Sequence, residues 1–374
     1  MIARLYAPVC VLYIYKTTFF LFSGVAIIPP TAASASITFA EGCARQPELL
    51  ALAADTLRGQ LTASVIEPLR EKSLLFAGIG ASYAVTGTPV HQLRAAGITA
   101  FRTDCSDSPL GTPALAEVYI AVSQSGRSRE TAQLILSSDD IDTVSITNSV
   151  HNPLSGLCAT NVSVGDFTDS RVSSIGFTAT LVALGMLSDV IANGTPDPGW
   201  QAIPATLTSI LDDSNEALGR FAADIVEAGK VDVVAEAAQI TSAEQGALLF
   251  REGPLIPSTA MNTRAYLHGP MDIASRHTSH VVLGRSREAL LAEQLAEQKA
   301  PTLLITDTDI AAPASIIRIP SGLTPSQRSL VEIALLQRLV ILVGAASGVD
   351  VDATVFRRLD TKVDSVGQVR QERV

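Results

Sequence analysis

Short apolar runs alternate with longer amphipathic stretches along most of the chain. In the first half, runs at 73–79, 99–103, 116–122, 142–147 and 161–164 read as strands. Helical spacing covers 82–96, 128–137, 153–158 and 174–193 between and after them. An earlier helical region, 42–70, has Pro47 near its start and Leu49, Leu50, Ala53, Leu57 and Leu61 among its apolar positions. Strands this short and apolar, separated by helices, predict a parallel sheet covered on both faces.

Pro196, Pro198 and Pro204 mark a linker over 194–204. The alternation then resumes, with a helix at 205–228, strands at 231–234, 280–283, 302–306 and 315–319, and helices at 242–252, 287–298 and 325–346. The expectation is an α/β chain with a first domain at 42–200, a second at 205–347 and a polar tail, 348–374, that is either loose or a flap. Residues 1–41 read as a leader. Its apolar stretch, 9–28, is broken by Lys16, Thr17, Thr18 and Ser23, so it is short of a clean membrane span. It reads as a signal-like segment or a start placed too far upstream, and as dispensable before about residue 30.

Charge narrows the partners. Lys and Arg number 27 against 37 Asp and Glu, a net charge of −10, with no basic cluster. That argues against nucleic acid as the main partner. The four cysteines, Cys10, Cys43, Cys105 and Cys158, are far apart and suggest neither a zinc site nor a disulfide framework, as suits a cytoplasmic protein. His277 and His280 lack the carboxylate spacing of a metal pair. No metal or cofactor is expected.

Two loops carry candidate chemistry. Ser123-Gln124-Ser125-Gly126, then Ser128, follows the apolar run Val118–Val122 and leads into a helix. Hydroxyls and backbone N–H groups at such a helix start form an anion cup without needing lysine, and the chain has only five lysines. A similar strand–loop–helix, Gly78-Ile79-Gly80-Ala81-Ser82, stands earlier. It begins like a dinucleotide fingerprint, but the third glycine falls at Tyr83, which argues against a nicotinamide site. Alone, each loop is compatible with ordinary helix capping. If the strands take the flavodoxin-like order, strands 1 and 3 are neighbours and both cups face one crevice at the switch point. A phosphorylated small molecule is then the expected ligand.

In the second half, the helix ending Leu248-Leu249-Phe250-Arg251-Glu252 is stopped by Gly253-Pro254. Glu252 therefore stands in a last turn, where the dipole disfavours negative charge, a setting suited to a general base for a carbon acid. The competing reading is a solvent-facing glutamate beside Arg251.

Together, Gly80-x-Ser82, Ser123-Gln124-Ser125-Gly126-x-Ser128, Ile146-Thr147-Asn148 with Asn152-Pro153-Leu154, and Leu267-His268-Gly269-Pro270 resemble the sugar isomerase (SIS) family over about residues 42–365. More narrowly, they resemble the isomerase part of glucosamine-6-phosphate synthase and the stand-alone amino-sugar-phosphate deaminases and isomerases. The resemblance implies two SIS subdomains, each a flavodoxin-like parallel sheet flanked by helices, usually in a homodimer with a shared active site. It implies that Ser82, Ser123, Gln124, Ser125 and Ser128 bind the substrate phosphate. Glu252 would move a proton between C1 and C2, and His268 would open the sugar ring from the neighbouring subunit. Arg171 and Ser173, in the segment running to Phe177-Thr178, would contact the sugar, and Lys362 would be an approximate counterpart of a catalytic tail lysine.

There are departures. Leu249 and Ile175 stand where the synthase pattern has lysines, and no glutaminase domain is legible before residue 42. The second half lacks its own cups; Ala235-Glu236-Ala237 and Gly284-Arg285-Ser286 occupy the equivalent places. The expected activity is that of a sugar-phosphate isomerase or deaminase acting on a hexosamine or hexose 6-phosphate, away from membranes. The alternatives are a deglycase and a non-catalytic sugar-phosphate sensor.

Overall fold

The computed structural model describes residues 37–107, 114–138, 141–356 and 359–371. The expected leader lies almost wholly outside them. The first strands are β1 (Leu74–Gly78), β2 (Ala100–Asp104), β3 (Val118–Val122), β4 (Asp142–Thr147) and β5 (Thr160–Ser163), paired in parallel in the order β2-β1-β3-β4-β5. The second set is β6 (Val231–Ala235), β7 (Ser258–Asn262), β8 (Ser279–Leu283), β9 (Thr302–Thr306) and β10 (Ser315–Arg318), again parallel, in the order β10-β9-β8-β6-β7. Numbered within each half, both orders are 2-1-3-4-5, the flavodoxin-like arrangement expected. Every residue of β1, β3, β6, β8 and β9 is buried, as central strands covered on both faces must be.

Helices α1 (Phe39–Ala44), α2 (Gln46–Gln60) and α3 (Ala63–Ile66) lead into the first sheet. Thr38 and Glu41 form a capping box that starts α1. Within the first half lie α4 (Ala81–Ala84), α5 (Gly87–Ala95), α6 (Arg129–Leu136) and α7 (Ile175–Asn193). The long α8 (Ile203–Ala228) leads to the second sheet, with α9 (Ile240–Glu252), α10 (Thr263–Tyr266), α11 (Ser286–Glu297), α12 (Pro325–Ser347) and α13 (Val366–Gln371). Both α7 and α12 are long and apolar enough to cross a membrane, but they are largely buried here. Leu181 and Leu184 of α7 join Phe76 and Ile120 of the first sheet, Val233 and Val281 of the second, and Leu335 of α12 in one continuous core. The two sheets therefore share a packed interior, which fixes residues of one half relative to the other.

Four sequence expectations change. The helix expected at 82–96 is two helices. Pro89 has no N–H to donate in the first turn of α5, and Thr86 Oγ1 donates to Tyr83 O at 2.6 Å, occupying a carbonyl at the break. The helix expected at 153–158 is a series of turns. There Asn152 Oδ1 accepts from Ser155 N (2.8 Å) and Ser155 Oγ donates to Asn152 O (2.8 Å), local bonds that compete with a helix. Strand β7 was not expected. It is an edge strand, mostly half-exposed, so Ser-Thr-Ala-Met-Asn carries no apolar run. Finally, the tail is not loose. Lys362 forms an antiparallel bridge with Ser128, Val363 N donates to Arg127 O at 2.9 Å, and Val363 and Val369 bury against Ala132 of α6.

Candidate functional site

Strands β1 and β3 are hydrogen-bonded neighbours, so the loops leaving their carboxyl ends flank one crevice. The β1 loop doubles back sharply. A Cβ on Gly78 would lie 2.3 Å from Ser82 O, and Gly80 has φ +57°, a conformation open to glycine. This brings Ser82 to the mouth of β1.

The β3 loop is built from hydroxyls and braced from behind. Ser123 is fully buried, and its Oγ lies 3.0 Å from the Oγ of Ser128, the N-cap of α6. Gln124 O accepts from Asn148 N at 2.8 Å, and Gly126 O accepts from Leu154 N at 3.0 Å. Asn148 is itself clamped: its Nδ2 donates to Phe167 O (2.6 Å) and its Oδ1 accepts from Phe167 N (2.9 Å). Gly126 has φ +62°, and a Cβ there would meet Asn152 Oδ1 at 2.0 Å. The Asn148 and Asn152–Leu154 motifs thus shape the cup without lining the crevice.

A third wall comes from the segment before α7. Asp169 Oδ1 accepts from Ser170 N (3.0 Å), Ser174 N (3.0 Å) and Ser174 Oγ (2.8 Å), and Oδ2 accepts from Ser173 Oγ (2.8 Å). Arg171 reaches across to the second half, donating to the carbonyl oxygens of Glu252 (2.8 Å), Val351 (2.7 Å) and Asp352 (3.1 Å).

The fourth wall is α9. Glu252 is its last residue, and Gly253 N closes the helix onto Leu249 O at 2.9 Å. Leu248, one turn earlier, faces the same crevice, whereas Leu249 is fully buried. The returning tail completes the enclosure, with Lys362 Nζ donating to Ser125 Oγ at 3.0 Å.

The resulting crevice holds about 540 Å³, within the usual range for a small-molecule site. Ser82, Gln124, Ser125, Ser128, Arg171, Ser173, Glu252 and Lys362 all line it. Two expected residues do not. Ser123 stands behind the cup as the partner of Ser128, and His268 is on an exposed stretch following α10, outside the crevice of this chain. Sequence reading missed Glu130, Asp169 and Leu248. Asp169 had a legible signal, an acidic residue shortly before serines at a helix start. Leu248 had one too, four residues before Glu252 on the same helical face.

Burial pushes the Cys105 and Cys158 thiols up to about 12 and about 11, so neither is a ready thiolate. Among the described residues, no group of three or more His, Cys, Asp or Glu could hold a metal ion. At the matching end of the second sheet, ion pairs fill the space. Buried Arg328 bonds Glu236 (3.0 Å), Asp307 (3.3 Å) and Glu332 (2.9 Å), and Arg285 bonds Asp307 (2.7 Å). There the guanidinium groups of Arg328 and Arg285 are already engaged by carboxylates, in place of the serine hydroxyls that form the cup in the first half.

No family model matches the sequence, and no curated protein matches it. Solved structures do match in fold. The C-terminal domain of glucosamine-fructose-6-phosphate aminotransferase from Francisella tularensis superimposes with a TM-score of 0.75 at 17% identity, covering 84% of this chain and 98% of that one. Glucosamine-6-phosphate deaminase from Thermotoga maritima gives 0.71 at 17%, covering 86% and 98%. Tagatose-6-phosphate ketose/aldose isomerase from Escherichia coli gives 0.69 at 15%, covering 89% and 100%. These likenesses establish the fold: two flavodoxin-like parallel α/β subdomains in one chain.

Proposed function

We propose that this protein is a sugar-phosphate isomerase or deaminase acting on a hexosamine or hexose 6-phosphate. The observation that carries the reading is the crevice itself, in which a hydroxyl cup with an ammonium on Ser125 faces a helix-terminal glutamate from the other half. The phosphate would accept hydrogen bonds from Ser82, Ser125, Ser128 and Lys362, with Gln124 beside it. Ser123 would act through Ser128.

Anchored at the phosphate, the sugar extends toward Glu252. With the ring open, the Glu252 carboxylate takes the proton from C2 of an aldose or its imine, giving a cis-enediol or enolamine. Returning that proton to C1, while the C2 oxygen or nitrogen releases a proton to balance the one O1 took up on enolisation, yields a ketose or, for a 2-amino sugar, its C2 imine. An amino group at C2 would leave as ammonia after hydrolysis of the resulting imine. Ring opening is assigned to His268 of a second copy, since His268 of this chain lies outside the crevice. That makes the active unit a homodimer, which light scattering coupled to size-exclusion chromatography would check.

The test is a panel of hexose and amino-sugar 6-phosphates assayed for ammonia release and ketose formation. Turnover of at least one substrate supports the reading. The second reading is a sugar-phosphate sensor. It draws on one structural likeness, to a putative sugar binding protein from Salmonella typhimurium LT2 with a TM-score of 0.63 at 15% identity. Tight binding without turnover across the panel would favour it.

A further inference from the structure

Helix α9 is held at both ends, and its upper clamp joins the two walls of the crevice. Glu244, Leu248 and Glu252 are spaced four residues apart, so they form one row along the helix. Leu248 and Glu252 line the crevice. Glu244 instead meets Arg102 of β2 in a two-pronged ion pair, Nη1 to Oε2 at 2.6 Å and Nη2 to Oε1 at 2.8 Å. The same guanidinium lies over the Tyr83 ring, 4.5 Å from its centroid. Tyr83 directly follows Ser82. One side chain therefore touches the residue next to the β1 cup and the helix that carries Glu252.

Neighbouring contacts strengthen this join. Thr241 Oγ1 donates to Ala84 O at 2.8 Å and accepts from Thr88 N at 2.8 Å, tying the start of α9 to α4 and α5. Gly87 permits the approach, because a Cβ there would lie 2.6 Å from Ile240 Cγ2 and 3.0 Å from Arg102 Nη1. The partners are separated by 142 positions in the chain, so the ion pair is a tertiary choice.

We infer that Arg102 and Glu244 are positioning residues that set the gap between the phosphate cup and Glu252. This rests on the proposed function above. Glu244 stands about 12 Å along the axis from Glu252, at a rise of about 1.5 Å per residue. A tilt of a few degrees at that point shifts Glu252 by roughly 1 Å, and a shift of that size can cost about 10²-fold in rate. The Ser123–Ser128 part of the cup leaves β3, away from the Arg102 contact with Tyr83, and is expected to keep its place.

The test uses the full chain with Glu244→Gln, which is isosteric, and Arg102→Lys, which keeps the charge but loses the fork. Both variants are expected to lower kcat by about 10- to 10²-fold with KM within about threefold. The double variant is expected to be no slower than the worse single, because the pair acts as one unit. Crystal structures are expected to show an unmoved Ser123–Ser128 loop and a displaced Glu252. A general loss of stability would lower the active fraction but leave kcat per active site and the position of Glu252 unchanged.

Wild-type kcat with Glu252 in place overturns the inference. So does a tenfold rise in KM at constant kcat, which would assign the pair to the cup. If the wild type turns over no sugar phosphate, the proposed reaction fails, and the position of Glu252 in the two variants alone decides the clamp: displaced upholds it, unmoved overturns it.

Discussion

Arg171 donates from Nη2 to the carbonyl oxygen of Glu252 at 2.8 Å. The last carbonyls of a helix lack partners within it, and here a guanidinium from the other half supplies one. The same guanidinium also donates to Val351 O and Asp352 O. The resemblance implied a sugar contact for Arg171. The geometry adds a main-chain role, locking the end of α9 and the start of the tail against the wall before α7.

Arg171→Lys keeps a charge but cannot span three carbonyls. Hydrogen bonds to charged groups are each worth about 1.5–3 kcal/mol, so the substitution is expected to lower stability by about 2 kcal/mol in urea unfolding. An unchanged midpoint would mean that these three contacts contribute nothing.

Ser125→Ala, Ser128→Ala and Lys362→Met are each expected to weaken sugar-phosphate binding in calorimetry by about 1.5–3 kcal/mol, the value of one bond to a charged phosphate. Lys362 is exposed, so its share is expected to shrink as salt rises, whereas the share of Ser128, which is buried, is not. Unaltered affinity in all three variants would move the phosphate elsewhere.

Glu252→Gln preserves size and hydrogen bonding but removes the base. Binding is expected to stay within a few fold, while kcat falls by about 10²–10⁴, the usual contribution of a general base. Exchange of the C2 proton with deuterated solvent is expected to stop. Wild-type turnover in this variant would remove Glu252 from the reaction.

His280 gives a pH prediction for stability. It is fully buried, with Nε2 2.8 Å from the Tyr266 hydroxyl and 3.8 Å from Asp232 Oδ2. Burial lowers its pKa to about 4, against the opposing pull of Asp232. In the unfolded chain an imidazole binds its proton near 6.5, so the unfolded state binds more protons between these two values. Stability from this site is complete above about pH 6.5 and is lost as pH falls toward about 4, on the order of 3 kcal/mol in all. Urea unfolding at pH 7, 6 and 5 is expected to show a shallower decline in His280→Gln than in the wild type. Equal slopes would show that His280 does not drive the acid sensitivity.

Much of the fold was legible because its signals are local. Five apolar runs in the first half match five strands, and the strand order they imply sets both serine loops on one crevice. Glu252 was legible for the same reason: Gly253-Pro254 stops the helix wherever that helix packs. The second half was read less fully, because β7 is a half-exposed edge strand whose residues need no apolar pattern. What only tertiary structure decided is the set of partners across long separations. Arg171 with Glu252, Arg102 with Glu244 and Lys362 with Ser125 are separated by 81, 142 and 237 positions. No periodicity encodes such pairs. They exist because one shared core presses the two sheets together, and because the tail returns to bury Val363 and Val369 against α6. The sequence alone determined which chemistry each loop could carry; the packed interior decided which of those groups meet in one crevice, since contacts between distant segments depend on how buried surfaces fit.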